Sequence, residues 1–316
     1  MRVTLFGATG LLGQDLVRAL HGEQLTAPSS KDADLRDSKR VQQVVRESRP
    51  DWIILSAAYT DVDGCESNRD LAMSVNCDGA INVALAAREC GSRLLFISTD
   101  YVFDGTKPAP YETTDPRHPI NVYGETKARA ELRLLEILPQ VCIVRTSWLF
   151  GHGGKCFPAT ILKLAASRPE ISVVNDQRGS PTFTRDLAAA LVELCRKNTD
   201  KNKNKDAAHN QDNGKINDKV DDKVNGKDAP GIVHVTNAGD CTWYDFAKEI
   251  VQLAGLPTTV KPVTTAQFPR PARRPANSVL SPASLHAQGI QMPHWKDALR
   301  RYLAAIDHPT NLPASQ

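Results

Sequence analysis

Arg2-Val-Thr-Leu-Phe6, Gly7-Ala-Thr-Gly10-Leu-Leu-Gly13 and Gln14-Asp-Leu-Val-Arg-Ala-Leu20 follow one another without a gap at the start of the chain. The first run is apolar and short, which predicts a buried strand. The last places Leu12, Leu16 and Leu20 one helical turn apart on one face. Between them, Gly7 is expected to make a tight turn, Gly10 to let a pyrophosphate approach the backbone, and Gly13 to let the helix pack close to the strand. The free N–H groups of the helix start would face the anion. A strand, a glycine turn and a helix in this order predict a dinucleotide site.

Working outward, strands and helices alternate, which predicts a parallel sheet covered on both faces. The second strand is expected at Glu23 to Ala27, without the acid that holds adenosine ribose hydroxyls in many dinucleotide folds. Ser29, Ser30 and Lys31 either accept a 2′-phosphate, which favours NADPH while leaving NADH open, or form a solvated loop. Asp37 or Ser38 is a candidate cap for the next helix. Trp52-Ile-Ile-Leu55 reads as a buried strand running into Ala57 and Ala58, small enough either to admit a cofactor or simply to pack. Asn68 to Cys90 reads as one long helix, from which Asn76 reaches back to a loop or faces solvent.

Arg93-Leu-Leu-Phe-Ile97 is a strand that ends in Ser98-Thr-Asp-Tyr-Val-Phe-Asp-Gly105. Hydroxyls at a strand's carboxyl end are well placed for chemistry, and the same residues make good turns. Asn121-Val-Tyr-Gly-Glu-Thr-Lys127 then opens a helix on which Tyr123 and Lys127 share a face. A phenol is a poor acid at neutral pH. An ammonium one turn away is expected to lower its pKa, so that the pair exchanges a proton near neutrality. Thr99 can polarise a carbonyl, and a nicotinamide would supply the hydride. Together they read as a ketone/alcohol oxidoreductase.

The bulk numbers exclude other classes. In 316 residues, 39 Lys and Arg against 36 Asp and Glu give a net charge of +3, with both signs interspersed, so neither a nucleic-acid nor a membrane partner is indicated. Seven Cys without a CxxC pair favour reduced thiols and a cytoplasmic location. No metal-ligating group is expected. Met1 leads straight into a strand, with no signal peptide, and no apolar run is long enough to span a bilayer. A homodimer is compatible with the chain.

The sequence resembles the extended short-chain dehydrogenase/reductases, and within them the dTDP-4-dehydrorhamnose reductase family. The resemblance is carried by the glycine turn, Ala57-Ala-Tyr-Thr60, Asp63, Cys65-Glu-Ser67, Ser98 to Gly105, Asn121 to Lys127, Arg145-Thr-Ser-Trp148, Asn175 to Thr182 and Arg274-Pro-Ala-Asn-Ser278. It implies a Rossmann-type doubly wound sheet over residues 1–150, with contributions from later segments, and a smaller C-terminal α/β substrate domain over 151–316. It implies that Thr99, Tyr123 and Lys127 are catalytic. Gly10, Leu11, Leu12, Asp34, Leu35, Ala57, Ala58 and Tyr59 would contact the cofactor, and Thr99, Asp100 and Trp148 the sugar nucleotide. The implied reaction reduces the C4 ketone of dTDP-4-dehydro-β-L-rhamnose to dTDP-β-L-rhamnose, with Tyr123 as proton donor. The rivals are another 4-keto sugar reductase or an epimerase, and a cofactor-binding regulatory subunit like that of methionine adenosyltransferase.

In the second half, Arg270-Pro-Ala-Arg-Arg-Pro-Ala-Asn277 either clamps a nucleotide diphosphate or is a solvated loop; the resemblance singles out Arg274. Thr184 or Asp186 is expected to cap a helix from Leu187 to Lys197, and Thr242 another lined by Phe246, Ile250 and Leu253. About 198–230, rich in Asn, Lys, Asp and Gly, is expected to be a disordered insertion, and 308–316 a frayed tail.

Overall fold

The computed structural model describes residues 1–210 and 231–306. Strands β1 (Arg2–Phe6), β2 (Gln24–Thr26), β3 (Trp52–Leu55), β4 (Arg93–Thr99) and β5 (Cys142–Thr146) belong to one sheet. They are followed by the short strands β6 (Leu149–Phe150), β7 (Glu170–Val174), β8 (Arg178–Gly179) and β9 (Thr182–Phe183). Strand β10 (Ile232–His234) returns to the large sheet, and β11 (Cys241–Thr242) and β12 (Thr259–Val263) do not. The large sheet runs β10-β5-β4-β3-β1-β2 and is parallel throughout. Its direction of growth reverses between β1 and β3, and such a switch point opens a ligand crevice at the strands' carboxyl ends.

Period-two alternation divides the strand residues between two layers. Val3, Leu5, Trp52, Ile54, Leu95, Cys142 and Val144 face one core, closed by Leu12, Leu16 and Leu20 and by Leu187, Leu191 and Leu194. Phe6, Ile53, Leu55, Leu94, Phe96, Val141 and Ile143 face the other. The helices that cover these faces are α1 (Leu11–Ala19), α2 (Ser38–Ser48), α3 (Val62–Ser67), α4 (Arg69–Met73), α5 (Gly79–Cys90) and α6 (Val122–Ile137). A third core gathers Phe150, Ile161, Phe183, Phe246, Ile250, Trp295 and Leu299. It is built with α7 (Phe157–Ala165), α9 (Trp243–Leu253) and α11 (Trp295–Ile306), while α8 (Thr184–Asn210) packs on α1 beside the large sheet and the short α10 (Ala283–His286) lies against β10.

Several local expectations hold. Asp37 caps α2 through Arg40 N–H, and Thr242 caps α9 in a capping box with Asp245. The helix expected from Asn68 to Cys90 is continuous but holds a π turn at Ser74–Asp78. Asn76, inside that turn, reaches back to the loop: it accepts from Tyr59 N–H at 2.7 Å and donates to Tyr59 C=O at 3.0 Å.

Others are corrected. Helix α8 begins at Thr184, whose hydroxyl donates to the buried Asp15 at 2.6 Å instead of capping. The helix also continues to Asn210, so the expected disordered insertion does not begin at 198. Thr199 and Asn198 anchor this extension: the Trp52 indole donates to Thr199 at 2.9 Å, and Arg93 donates to the Asn198 carbonyl. Once a helix is nucleated, each further residue adds a backbone bond even in a polar stretch. The remainder of that expectation, 211–230, and the tail 308–316 lie outside the described residues. No described helix is long and apolar enough to cross a membrane.

Candidate active site

A cavity of about 850 Å³ opens at the carboxyl edge of the large sheet. One wall is the glycine turn. Gly7 has φ +95°, and a side-chain carbon there would lie 2.5 Å from Ala57 N. A carbon on Gly13 would lie 1.9 Å from the Gly7 carbonyl, so only glycine lets α1 start this close to β1. Gly10 precedes α1 without a side-chain cap, which leaves the first N–H groups of that helix turned to an anion. A Cβ-free cradle beneath free N–H groups fits a dinucleotide pyrophosphate.

Leu11, Leu12, Asp34, Leu35, Ala57 and Ala58 also line this wall. Of the residues expected around a 2′-phosphate, Ser29 and Ser30 line it and Lys31 does not. The Ser29 hydroxyl is committed to Asp32 at 2.6 Å. The cation that does reach the wall is Arg36, which holds Asp34 through Nε at 3.0 Å and Nη2 at 2.6 Å.

The opposite wall carries the reactive groups. Thr99 ends β4, and its hydroxyl donates to Asp100 Oδ1 at 2.9 Å. Asn121 caps α6 by accepting from Gly124 N–H at 2.8 Å. A carbon on Gly124 would sit 2.1 Å from the Tyr101 carbonyl, so α6 presses directly on the turn Asp100–Val102. That contact sets Tyr123 beside Thr99, and Lys127 follows one turn deeper with Nζ 3.9 Å from the centre of the Phe96 ring. Beneath them lies a buried ionic knot. Glu131 accepts from Ser98 at 2.5 Å, from Arg117 at 2.5 Å, and from Arg145 at 2.9 and 2.7 Å. Burial alone would raise the Glu131 carboxyl, but Arg145, Arg117 and Ser98 together hold it below the usual range.

The phenol does not behave as the Tyr-x-x-x-Lys spacing predicts. Burial pushes the Tyr123 pKa up, and the nearby Asp100 charge pushes it further; the Thr99 hydroxyl opposes them. Burial also brings Lys127 down to about 7, against the charge of Glu131. Desolvation outweighs the helix-face pairing, and Tyr123 stays protonated at neutral pH. Asp100 is driven by burial up to about 6, opposed by the nearby Ser278 hydroxyl and by the hydrogen bond from Thr99.

Trp148 lines the cavity and stacks on Trp243, with ring centres 3.5 Å apart and planes 6° apart. Its φ is +49°, an uncommon state for a bulky residue, and Gly179 leaves the space against which its indole rests. Strain of this kind concentrates at ligand sites.

Two expected residues are not brought to the cavity wall. Tyr59 is drawn away by Asn76 and packs with Cys65 and Ala72. Arg274 turns to Asp63 at 2.5 Å, and Ala272 N–H also donates to that carboxylate. Arg274 reaches the site only through the Tyr101 hydroxyl. Arg270 points to Asp63 as well, at 3.9 Å, so one carboxylate faces two of the loop's three guanidiniums.

Sequence reasoning missed Arg36, Tyr101, Lys155 and Trp243, all on the wall. Tyr101 lay inside a quoted motif. Lys155 follows the glycine-rich Gly151-His-Gly-Gly154, a signal left unread. Nothing in the sequence ties Trp243 to Trp148. Among the described residues no His, Cys, Asp and Glu group could hold a metal ion.

Residues 1–219 and 215–308 match the RmlD substrate binding domain family. The chain is 38% identical over 304 residues to the spore coat polysaccharide biosynthesis protein SpsK of Bacillus subtilis, covering 96% of each. It is 38% identical over 305 residues to a dTDP-4-dehydrorhamnose reductase of Streptomyces griseus, covering 95% of this chain and 92% of that one. The crystal structure of dTDP-4-dehydrorhamnose reductase from Bacillus anthracis in complex with NADP superposes with a TM-score of 0.84 at 37% identity, covering 96% of this chain and 99% of that one.

Proposed function

This chain belongs to the RmlD substrate binding domain family, and from that premise we propose that it is an NADPH-dependent oxidoreductase that reduces the C4 ketone of dTDP-4-dehydro-β-L-rhamnose to dTDP-β-L-rhamnose, supplying rhamnose for polysaccharides. The observation that carries the reading is the meeting of Thr99, Tyr123 and Lys127 with the glycine turn in one cavity.

The cofactor is held by the first N–H groups of α1, by Ala57 and Ala58 along its length, and by Arg36 with Ser30 at the 2′-phosphate. Bound NADPH supplies the hydride, which no side chain can. Tyr123, protonated at neutral pH, gives its proton to the oxygen that becomes the alcohol. Thr99 hydrogen-bonds the same oxygen and favours its developing charge. Lys127 holds the nicotinamide ribose, and in its protonated form it counters the phenolate left on Tyr123. Trp148, flat against Trp243, presents an indole to the sugar nucleotide, and Asp100 stands behind Thr99 at the edge of the cavity. We assign 1–150 to the cofactor, with α8 and β10 contributing from later in the chain to the large sheet, and the rest of 151–316 to the substrate. We place the enzyme in the cytoplasm; a homodimer is compatible with this reading.

The test is incubation of the purified chain with NADPH and dTDP-4-dehydrorhamnose, with dTDP-β-L-rhamnose identified by chromatography and mass. Its formation is expected. Cofactor binding without product contradicts the substrate, and turnover of a different 4-keto sugar replaces it.

A further inference from the structure

Thr99 has one hydroxyl proton and several neighbours competing to direct it. Its oxygen donates to Asp100 Oδ1 at 2.9 Å and accepts from Tyr101 N–H at 3.2 Å. The Tyr123 phenol stands near the same oxygen, and its titration feels the Thr99 hydroxyl. Asp100 itself is 2% exposed, borders the cavity, and leaves Oδ2 without a protein partner. A buried carboxylate oxygen left unpaired is costly, and neutralising it removes most of that cost.

The two protonation states of Asp100 give two different sites. As a carboxylate it only accepts, so it takes the Thr99 proton. Thr99 then has no proton to offer the ketone, its two lone pairs take Tyr101 N–H and the phenol, and both donors point away from the substrate. As an acid, Asp100 donates to the Thr99 oxygen. That oxygen now has its two acceptor positions filled, by Asp100 and by Tyr101 N–H. The Thr99 hydroxyl and the Tyr123 hydroxyl are both released towards the carbonyl.

We propose that Asp100 is a positioning residue whose protonation sets the direction of the Thr99 hydroxyl, so that ketone reduction runs with Asp100 in its acid form. The inference rests on the reductase reading and deepens it. The titratable and charged groups around Asp100 are Tyr101 on its own turn, Tyr123 and Lys127 on α6, Cys65 on α3, and the Arg274–Asp63 pair beyond Tyr101. Ser278, from the C-terminal segment, adds a hydroxyl. The one cation nearest the turn, Arg274, is already matched by Asp63. Burial is accordingly the leading influence on the carboxyl, and it favours the acid form.

The test is the single-turnover rate of ketone reduction by the full chain preloaded with NADPH, followed from about pH 5 to about pH 9. The wild-type rate is expected to fall about tenfold per pH unit above the Asp100 ionisation, and more steeply once Lys127, with its pKa brought down to about 7, also loses its proton. Asp100→Asn, whose amide donates to Thr99 at every pH, should remove the first limb and leave only the one set by Lys127. Persistence of the same limb in Asp100→Asn overturns the proposal, as does a wild-type rate that rises with pH over this range. A second measurement covers a variant that fails to fold: NMR titration of the wild-type Asp100 carboxyl carbon. Its pKa should coincide with the kinetic one, and a separation above about one unit overturns the assignment. If no substrate is reduced at any pH, the reductase reading fails instead. The carboxyl titration in Thr99→Val then still reads the coupling: it should move upward when the hydroxyl donor is lost, and an unmoved titration refutes it.

Discussion

Replacing Glu131 by alanine should destabilise the protein far more than its distance from solvent chemistry suggests. Glu131 and Arg145 are both fully buried, and the carboxylate takes two bonds from Arg145 and one each from Arg117 and Ser98. Without it, Arg145 keeps two long polar contacts, at 3.4 Å, to the Thr113 carbonyl and to His234, and its place over the Phe103 ring at 4.9 Å. His234 cannot help by taking charge, since burial and the Arg145 guanidinium bring its pKa down to about 3. Removing one partner of a buried pair costs about 3–5 kcal/mol, because the other charge stays buried. For a chain of this size that corresponds to a melting point lower by about 5–8 °C. The exposed pair Arg46–Glu89 is the internal control: Glu89→Ala should cost less than about 0.5 kcal/mol. Urea unfolding followed by circular dichroism, with an unchanged slope, measures both. A Glu131→Ala loss below about 1 kcal/mol would refute the view that this knot fixes Ser98, and hence Thr99, to α6.

Further outcomes follow from the same geometry. Arg36→Ala should weaken NADPH binding about 10- to 100-fold, the worth of a charge-assisted phosphate contact, and leave NADH binding nearly unchanged by calorimetry; equal losses for both would remove Arg36 from the 2′-phosphate. Lys127→Met should be inactive yet more stable than wild type at pH 7. The folded-state pKa of Lys127, about 7, lies below its unfolded value of about 10.4, so the wild type gains stability as pH rises between the two, and the variant's advantage should shrink over that window. An advantage independent of pH would count against a charge effect. Trp148→Ala should raise KM for the sugar nucleotide with little change in cofactor affinity, whereas a loss confined to cofactor binding would move the indole to the other ligand.

The fold was legible because its signals are local. The glycine turn and the leucines at Leu12, Leu16 and Leu20 identify β1 and α1 from adjacent residues, and the alternation of apolar runs carries the parallel sheet. The catalytic wall was legible for the same reason, since Tyr123 and Lys127 share one helix turn and Thr99 ends a strand. What escaped depends on long-range neighbours. Arg274 reads as a free cation until Asp63, over 200 positions away, is seen to hold it. The direction of the Tyr123 shift depends on desolvation, which spacing does not encode. The partnership of Trp148 with Trp243 joins the β5–β6 connection to the start of α9 by tertiary packing alone. The polar stretch after Lys197 departs for a different reason: its composition argues against a core, but helix α8 needs none to continue from an anchored turn.

The central claim, that Tyr123 is the proton donor of an NADPH-dependent ketone reduction, is tested most directly by Tyr123→Phe, with the loss of reduced-nicotinamide absorbance followed on dTDP-4-dehydrorhamnose. Removing one hydroxyl should lower kcat by about 10²- to 10⁴-fold while NADPH affinity stays within about threefold of wild type. A variant that still turns over at close to the wild-type rate would contradict the account.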